Sequence, residues 1–494
     1  MAPSGSAVGI LMQEHRFNQA EGGGVPGKEV AFEGRLVITG FGSIGQGVLP
    51  LLLRHVEMPP ERVLVIDAQS DDVHVADTFG VRHVTAPLDE RNYQAVLAPH
   101  LGPGDFLLNL SVGVSSIALM RHCRQHGALY LDTCTEPWHG GYSDPALPPA
   151  ERTNYALREA ALALREPGPA PTAVITHGAN PGLVSHFVKQ ALLDLARDAD
   201  GAAVPVPASR AGWAALAARL GVRVIHVAER DTQWTARRKS PGEFVNTWSV
   251  QGFIDESLQP AELGWGTHER HFPADGMRHE TGCRAAIFLG RPGGGTRVRS
   301  WTPLAGPFHG FLITHSEAIS LADYLTVGDP ARPRYRPTVH YAYHPCDDAV
   351  LSLHELAGRN WRPQERRRLI RDDVVGGRDE LGVLLMGHAR GAYWYGSRLS
   401  AEEARSAAPF NSATSLQVAA PVMAGVVWAI RNPEAGVVEP EALPFDQILR
   451  LCRPYLGEVC GAYGDWTPLQ DRALLFDEPV DRTDPWQFGN FRVS

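Results

Sequence analysis

A glycine-rich hexapeptide, Gly40-Phe41-Gly42-Ser43-Ile44-Gly45, restricts the possible folds of this chain more than any other feature. It follows the β-branched run Leu36-Val37-Ile38-Thr39 and opens a helix-like segment that continues to His55. GxGxxG alone is a weak pattern. Between a strand and a helix, however, its three glycines in turn predict a tight turn, a close approach to pyrophosphate and close helix–strand packing. The helix N-terminus offers unpaired N–H groups to phosphates, so this context predicts a dinucleotide site.

The next β-branched run ends in Asp67. A carboxylate at this position accepts hydrogen bonds from both hydroxyls of the adenine ribose and repels the additional phosphate of NADP. The sequence therefore predicts NAD as the cofactor. The alternative is a glycine turn that serves packing only, and the agreement of strand, helix and terminal acid disfavours it.

From Arg35 to Ala179, short β-branched runs alternate with longer amphipathic segments, which is typical of βαβ units and a parallel sheet. A proline-containing stretch at 201–207 marks a lobe boundary, and strand-like runs such as 222–227 and 243–250 follow it. We predict an α/β protein with a Rossmann-type doubly wound parallel sheet and a second α+β lobe for catalysis and dimerisation. The predicted strands of the sheet are 36–39, 63–67, 106–110, 129–132 and 173–176, and the predicted helices include 44–55, 117–126 and 151–165.

At 494 residues the chain is too long for one ordinary core. We assign 1–33 to a flexible N-terminal arm, 34–182 to the NAD-binding domain and 183–410 to the substrate and dimerisation domain. Residues 433–494 form a C-terminal segment that packs on both lobes. An apolar segment within 411–432 is expected to return as a helix to the first domain, which would make that domain discontinuous.

Composition excludes several classes of function. A net charge of −9 without a basic run argues against nucleic-acid binding, and no uninterrupted apolar stretch suits a bilayer span of about 20 residues. The six cysteines are far apart and form no CxxC pair, so we expect free thiols in the cytoplasm and no metal site. The arginine-rich residues 364–374 are interpreted as a solvated helix face.

Polar residues follow three predicted strands at their carboxyl ends, where ligands gather in open α/β sheets. Singly, each could belong to an ordinary loop. Together they predict the wall that holds the nicotinamide and its ribose. The candidates are Asn109, Ser111, Thr133, Thr135, Ala179 and Pro181, and Asn180 lies between the last two.

Several long and specific motifs resemble those of bacterial homospermidine synthases, a family with a saccharopine dehydrogenase-like fold. The resemblance runs from about Arg35 to near the C-terminus. It implies NAD as a bound and recycled cofactor, putrescine and related diamines as substrates, and a homodimer. The motifs are Leu131-Asp132-Thr133-Cys134-Thr135-Glu136-Pro137-Trp138, Thr176-His177-Gly178-Ala179-Asn180-Pro181-Gly182, Arg299-Ser300-Trp301-Thr302-Pro303, Gly310-Phe311-Leu312-Ile313-Thr314-His315 and Tyr341-Ala342-Tyr343-His344-Pro345-Cys346-Asp347-Asp348.

The resemblance also implies catalytic residues at matching positions. Two of these positions adjoin a second carboxylate, Asp255 or Glu380, so a slip of one residue would change the assignment. The implied catalytic residues are Trp248, Glu229, Glu256, Asn180, His315 and Asp379.

A diamine is an apolar four-carbon rod with a cationic amine at each end, so its site needs terminal carboxylates and an apolar or aromatic wall. The implied acids can supply the negative ends, and the Trp248 ring attracts ammonium and iminium ions. In the implied cycle, a carboxylate or His315 deprotonates one amine of putrescine, and the adjacent carbon gives a hydride to NAD. A second putrescine then displaces ammonia from the imine, and the same cofactor reduces the new imine.

Two other functions stay open. A saccharopine or carboxynorspermidine dehydrogenase-type reductase would join an amine to a carbonyl compound with external NAD(P)H, but its carboxylated substrates need an arginine clamp. A non-catalytic NAD sensor would keep the glycine loop and use the carboxylates at its surface. The three lysines, Lys28, Lys189 and Lys239, lie in segments that disfavour an enzyme-lysine Schiff base.

Overall fold

The computed structural model describes residues 27–70, 72–201 and 204–493. The first part of the chain alternates strands and helices, as its sequence pattern predicts. In chain order, its elements are β1 (Val30–Ala31), β2 (Leu36–Thr39), α1 (Ser43–His55), β3 (Val56–Glu57), β4 (Val63–Asp67), α2 (Val73–Thr78), β5 (Arg82–Thr85), α3 (Tyr93–Leu97), β6 (Phe106–Asn109), α4 (Ser116–His126), β7 (Leu129–Asp132), α5 (Asn154–Leu162), β8 (Ala170–Val174) and α6 (Leu183–Asp200).

Six of these strands form a parallel sheet in the order β5-β4-β2-β6-β7-β8. This is the strand order of a Rossmann domain, in which ligands bind where the order reverses, here between β2 and β6. The central strands are apolar on both sides because helices cover both faces of the sheet. Leu36 and Ile38 of β2 belong to the core that contains α1, whereas Val37 packs with residues of α4.

The second part of the chain is richer in strands. Short 3-10 helices occur in both parts of the chain, at Pro60–Arg62, Pro149–Arg152, Gly293–Gly295, Pro440–Ala442 and Arg453–Tyr455. The remaining elements are α7 (Arg210–Leu220), β9 (Val224–Asp231), β10 (Trp234–Thr235), β11 (Glu243–Asn246), α8 (Val250–Leu258), β12 (Pro260–Gly264), β13 (Gly276–Arg278), β14 (Ala286–Pro292), β15 (Arg297–Thr302), β16 (Gly306–Phe311), α9 (Ser316–Tyr324), β17 (Val327–Asp329), β18 (Arg332–Tyr335), β19 (Thr338–His344), α10 (Asp347–Gly358), β20 (Arg366–Leu369), β21 (Val374–Gly376), β22 (Arg378–His388), β23 (Gly391–Ser400), α11 (Ala401–Ala407), α12 (Ala413–Arg431), β24 (Ala435–Val438), α13 (Phe445–Cys452), β25 (Glu458–Gly464) and α14 (Phe488–Phe491).

A large mixed sheet organises this second lobe. Its strands follow the order β13-β14-β12-β19-β9-β22-β23-β25, and the hairpin of β15 and β16 joins it through β19. The pair of β9 and β19 is parallel, whereas the neighbouring pairs are antiparallel. The predicted fold class, a Rossmann-type sheet with a second α+β lobe, is confirmed.

The C-terminal part of the chain contributes to both sheets. Helix α12 packs against α1 and against β7 and β8 of the parallel sheet. Strand β24 then pairs in parallel with β8, and β25 pairs with β23 in the mixed sheet. By length and composition α12 could cross a membrane, but 83% of its most apolar window is buried inside the protein. It is therefore a core helix of this fold.

Three local predictions differ from the structure. The arginine-rich segment 364–374 is not a helix, because β20 forms a parallel pair with β11. The predicted strand 243–250 ends at Asn246, and α8 begins at Val250. Of the predicted arm, 1–26 lie outside the described residues. Its last residues are ordered, because β1 pairs with β3 and Glu29 bonds to Arg431 and Arg450.

Candidate active site

A cavity of about 800 Å³ lies at the carboxyl edge of the parallel sheet and is closed by elements of the second lobe. Most residues predicted for the site line this cavity, although their segments are far apart in the chain. Thr135 and Asp379 do not line it. The predicted residues in its wall are Gly40, Gly42, Ser43, Ile44, Gly45, Asp67, Asn109, Ser111, Thr133, Ala179, Asn180, Pro181, Glu229, Trp248, Glu256 and His315.

The three glycines of the loop differ in what surrounds them. Gly40 has a φ of +83°, and a Cβ there would lie 2.6 Å from the carbonyl of Leu110. At Gly45 a Cβ would lie 2.6 Å from the carbonyl oxygen of Gly40. At Gly42, by contrast, a Cβ would meet no described atom within 4 Å, because the position faces the cavity. Gly40 and Gly45 thus serve the fold, whereas Gly42 leaves room for a ligand.

The first turn of α1 fits the phosphates of a dinucleotide. Gly42 is the N-cap residue, so the N–H groups of the next residues have no partner within the helix. The Ser43 hydroxyl is buried and has no hydrogen-bond partner among the described residues. A phosphate placed here would accept these hydrogen bonds and lie at the positive end of the helix dipole.

Asp67 lies at the end of β4 beside the glycine loop. Its carboxylate accepts the N–H of Ala68 at 2.7 Å and the N–H of Phe41 at 3.2 Å. Burial raises the pKa of Asp67 above its ordinary value. A carboxylate has about four acceptor sites, so it keeps capacity for the two hydroxyls of a ribose. The residues present fit the adenosine half of NAD.

The polar strand ends divide into wall residues and supporting residues. The Asn109 side chain accepts the Thr39 hydroxyl at 3.0 Å and the Ser111 N–H at 3.2 Å, which fixes its amide at the cavity edge. Thr133 also lines the wall. The Thr135 side chain is buried behind the wall, and its hydroxyl has no partner within the described chain. The structure therefore does not place Thr135 at the predicted cofactor site.

Glu229, on β9, is the central acid of the second-lobe side of the cavity. It accepts the Asn180 amide at 2.9 Å, and Tyr341 donates its hydroxyl to the same oxygen. Burial raises the pKa of Glu229 to about 7, and the nearby Asp231 acts in the same direction. Glu229 can therefore exchange a proton near neutral pH.

Asp379 lies behind Glu229 rather than in the wall. It is fully buried and accepts the Thr414 hydroxyl at 2.6 Å. Burial, together with Glu229 and Asp231, raises the pKa of Asp379 well above its ordinary value. We call Glu229, Asp231 and Asp379 the Glu229 cluster. Asp379 is predicted to act at the substrate, but in the structure it interacts with Glu229, and Glu229 is the acid that faces the cavity.

The adjacent Glu380 faces away from the Glu229 cluster, because side chains alternate along β22. Its carboxylate accepts the Thr302 hydroxyl at 2.6 Å and the Leu304 N–H at 3.0 Å. These contacts bind it to the turn between β15 and β16. Of the two adjacent acids, Asp379 is therefore the one that faces Glu229.

Trp248 lies in the loop between β11 and α8 and is half-buried in the cavity wall. Its Nε1–H donates to the Tyr343 hydroxyl at 3.2 Å, and its ring packs against Phe253 with a centroid distance of 5.7 Å. The preceding Thr247 donates its hydroxyl to Asp231 at 2.8 Å. The ring is thus held from several sides and still reaches the cavity.

His315 and Glu256 form an ion pair in the wall, with 3.1 Å between His315 Nε2 and the carboxylate. The other ring nitrogen lies 3.4 Å from Glu317. Burial lowers the pKa of His315, but the charges of Glu256 and Glu317 outweigh it and raise the pKa to about 10. The two carboxylates thus favour the charged form of His315.

Glu136, at the end of the polar stretch that follows β7, is a further acid of the cavity wall, outside the predicted site residues. Glu136 lines the cavity and accepts the Gly113 N–H at 3.3 Å. Burial raises its pKa to about 8, and the nearby Asp255 and Glu256 add to this. We call Glu136, Asp255 and Glu256 the Glu256 cluster.

Tyr341 and Arg367 were also missed. Tyr341 and Tyr343 alternate along β19, and their rings stack at 5.1 Å on the side of Glu229. This period-two pattern of aromatic residues was visible in the sequence motif. Arg367 lines the cavity from β20, within the arginine-rich segment that was interpreted as a solvated surface.

Family models match nearly all of this fold. The model described as the saccharopine dehydrogenase NADP binding domain matches residues 36–175, and the model of the saccharopine dehydrogenase C-terminal domain matches 178–465. The fold and the site thus define a nucleotide-binding protein of the saccharopine dehydrogenase-like class.

Relatives narrow this class. The homospermidine synthase of Blastochloris viridis is 53% identical over 466 residues, which cover 93% of this chain and 98% of that protein. The homospermidine synthase of Mesorhizobium japonicum is 51% identical over 468 residues, or 93% of this chain and 96% of that protein. The crystal structure of the Legionella pneumophila homospermidine synthase in complex with NAD superposes with a TM-score of 0.88 at 52% identity, covering 94% of this chain and 99% of that one. The chain belongs to the homospermidine synthase family, which confirms the predicted resemblance.

Proposed function

We propose that this chain is a homospermidine synthase that joins two putrescine molecules into homospermidine, with release of ammonia, and that NAD is its cofactor. Its relatives in B. viridis and M. japonicum carry that name, and the related L. pneumophila structure contains NAD. The observation that carries the proposal is that Glu229, from one acidic cluster, and Glu136 and Glu256, from the other, line one cavity together with Trp248.

The charge of this wall suits a diamine. Buried carboxylates are costly unless a cation or hydrogen bonds compensate them. The raised pKa values of Glu229 and Glu136 express that cost. Two ammonium groups joined by an apolar chain would supply the missing positive charge at both clusters. A dicarboxylated substrate of the saccharopine type would meet repulsion at the same places.

Glu229 is our proposed acceptor of the amine proton. A general base works best when its pKa lies near the operating pH, and that of Glu229 is about 7. Asn180 and Tyr341 both donate to Glu229 and so fix the direction of its free lone pairs. The nearby Asp231 disfavours ionisation of Glu229 and so strengthens it as a base.

Trp248 and the His315–Glu256 pair are our proposed orienting groups. The exposed face of Trp248 would lie against a substrate ammonium or iminium, an attraction of about 0.5 to 2 kcal/mol. His315 lies 3.1 Å from the Glu256 carboxylate and fixes its position. Glu256 would in turn bind the second amine of the substrate. Because the positive charge is largest at the imine stages, a fixed indole face stabilises them more than the neutral amine.

The glycine loop, Ser43 and Asp67 would hold NAD, with Asn109, Thr133 and Asn180 towards its nicotinamide end. Bound there, NAD supplies a hydride acceptor for the first half of the reaction and a hydride donor for the second. The chain's own part is to hold the amine carbon close and to exclude water.

A lysine Schiff base has no candidate in this wall. Lys28 donates to backbone carbonyls at 53 and 56, and Lys239 pairs with Glu355. Lys189 donates to the Glu441 carbonyl at 2.6 Å, within the packing of α6. The imine of the proposed reaction therefore joins substrate to substrate.

The test is to incubate the purified chain with putrescine and a catalytic amount of NAD, and to measure homospermidine by mass spectrometry and ammonia in parallel. We expect many turnovers per NAD, because the redox change sums to zero. Glu229→Gln is the matched inactive control. Reduction of a saccharopine-type substrate with stoichiometric loss of NADH, and no homospermidine, would contradict the proposal.

Three further attributes are part of the proposal. Asp67 supports NAD over NADP, which binding assays with both cofactors test. Free thiols at Cys123, Cys134, Cys283, Cys346 and Cys452 support a reducing compartment, the cytoplasm. Leu474, Leu475 and Phe476 are 76%, 87% and 79% exposed, which supports a homodimer interface. Light scattering of the purified chain tests this assembly.

A further inference from the structure

Strand β20 presents an arginine to each side. Its sequence Arg366-Arg367-Arg368-Leu369 runs parallel to β11, and alternate side chains point in opposite directions. Arg367 and Leu369 both line the cavity. Arg366 and Arg368 belong to the opposite side of the strand.

The two outer arginines are occupied. Arg366 donates to the Pro241 carbonyl at 2.6 Å. Arg368 pairs with Asp373 at 3.2 Å and with Glu243 at 3.4 Å. Arg367, by contrast, has no hydrogen bond or ion pair within the described parts of the chain, and its charge acts on Asp255 at longer range. An unpaired guanidinium thus faces the cavity.

This guanidinium is out of place if the cavity holds diamines alone. Among the described residues of the wall, Arg367 is the sole arginine or lysine. The wall also contains Asp67, Glu136, Glu229 and Glu256, all of which suit cations better than anions. An approaching diamine would be repelled by Arg367. A dinucleotide, however, brings a pyrophosphate with two negative charges into this acidic cavity, and a guanidinium matches it in shape and charge.

A second contact shows that this region reaches the glycine loop. Arg371, just beyond β20, donates to the side chain of Gln46 in α1. The Gln46 amide in turn donates to the Phe41 carbonyl at 2.8 Å. Through Arg371 and Gln46, the second-lobe segment that carries Arg367 therefore contacts the glycine loop, where the phosphates would bind.

We propose that Arg367 binds the phosphates of NAD from the second-lobe side, opposite the backbone N–H groups of the glycine loop. This rests on the proposed use of NAD. It makes cofactor binding depend on both lobes, because the glycine loop supplies N–H groups from one lobe and β20 supplies a charge from the other. The cofactor phosphates would also mask the charge of Arg367 before the diamine enters.

The test compares Arg367→Gln with Arg366→Gln, which removes an arginine from the other side of the same strand. Binding of NAD and of ADP-ribose to each variant is measured by calorimetry without putrescine. We expect Arg367→Gln to weaken both ligands by roughly tenfold and equally, since both contain the pyrophosphate. Arg367→Lys should lose less, and Arg366→Gln should bind like the unaltered chain. Added salt should reduce the difference between Arg367→Gln and the unaltered chain.

Several results would overturn the inference. Unchanged affinity of Arg367→Gln for NAD would do so, and so would a loss for NAD with none for ADP-ribose, which would place the guanidinium at the nicotinamide. A change confined to the KM of putrescine would assign Arg367 to substrate entry. If the unaltered chain failed to bind NAD at all, the proposed function itself would fail, which this series distinguishes.

Discussion

The two ends of the cavity are built in different ways. At the cofactor end, the part that receives the adenosine and the phosphates is made mainly of one stretch, residues 40–67, which offers backbone N–H groups, the Asp67 carboxylate and free space at Gly42. The amine end is made of side chains from segments as distant as Asn180 and Tyr341. The glycine loop with Asp67 is thus a local structure, whereas the amine end exists only when both sheets have assembled.

The ends also differ in what they do to stability. Gly40 and Gly45 allow the glycine loop to pack closely against its neighbours. The N–H groups of the first turn of α1 can bind water when no ligand is present. The amine end gathers carboxyl groups whose burial opposes their ionisation, as the raised pKa values of Glu229 and Glu136 indicate. We infer that the amine end lowers the stability of the ligand-free protein and that its carboxyl groups are present because the reaction needs them.

Glu229→Gln tests this contrast with the largest expected effect. It keeps the size of the side chain and its contact with Asn180 but removes the base, so we expect kcat for homospermidine to fall by at least about 100-fold. NAD affinity should stay within about twofold, because residue 229 belongs to the amine end. Steady-state kinetics and NAD titration measure both quantities. A loss of NAD binding as large as the loss of turnover would contradict the separation of the two ends.

The paired variants Gly42→Ala and Gly45→Ala break the cofactor end in two ways. At position 42 the new Cβ meets no described protein atom, so we expect unchanged Tm but an NAD affinity lower by roughly tenfold or more. At position 45 the Cβ would lie 2.6 Å from a backbone oxygen, so stability should fall by about 1 to 3 kcal/mol. Thermal unfolding without cofactor, followed by NAD titration, separates the two. Equal destabilisation by both would show that Gly42 serves the fold.

The pH dependence of stability tests the cost of the amine end. The folded-state pKa of Glu229, about 7, lies above its ordinary value of 4.5. The contribution of Glu229 to the free energy of unfolding is therefore fully present below about pH 4.5 and is lost as pH rises through about 7. Glu229→Gln cannot ionise, so at pH 8 it should be more stable than the unaltered chain by about 1 to 3 kcal/mol, with little difference near pH 4.5.

Denaturant unfolding without ligands at pH 4.5, 6 and 8 measures this effect. Glu61→Gln, which removes one acidic charge at an exposed position, is the control and should show no such trend. If Glu229→Gln were less stable than the unaltered chain at pH 8, the ionised acid would be well compensated in the free protein. The contrast between the two ends would then be lost.

The same contrast explains what the sequence could predict. The glycine loop, its strand and Asp67 form a local pattern, and the predicted bounds 36–39, 63–67 and 129–132 agree with β2, β4 and β7. The residues of the amine end came from the family resemblance. No local pattern distinguishes Glu229 from other strand acids, because its function depends on contacts with Asn180 and Tyr341.

The differences between the predictions and the structure have physical causes of the same kind. Thr135 lies past the end of β7, where the chain leaves the two-residue period, so its side could not be predicted. Asp379 is separated from the cavity by Thr414, which α12 supplies from a distant segment. Residues 366–369 of the arginine-rich segment form a strand because backbone pairing with β11 outweighed the local pattern, so the position of Arg367 in the cavity wall could not be predicted.

Trp248→Phe is the mildest test of the amine end. Phenylalanine keeps an aromatic face but attracts cations less and cannot donate to Tyr343. We expect the activation free energy for putrescine to rise by about 0.5 to 2 kcal/mol, so that kcat/KM falls about 2- to 30-fold. Trp248→Leu, which keeps the apolar contact with Phe253 but removes the aromatic face, should lose more. Unfolding measurements should show smaller changes than the kinetics, because the ring is only half-buried. If leucine and phenylalanine were equally active, the ring would act by packing, and the attraction of cations would belong to the two acidic clusters alone.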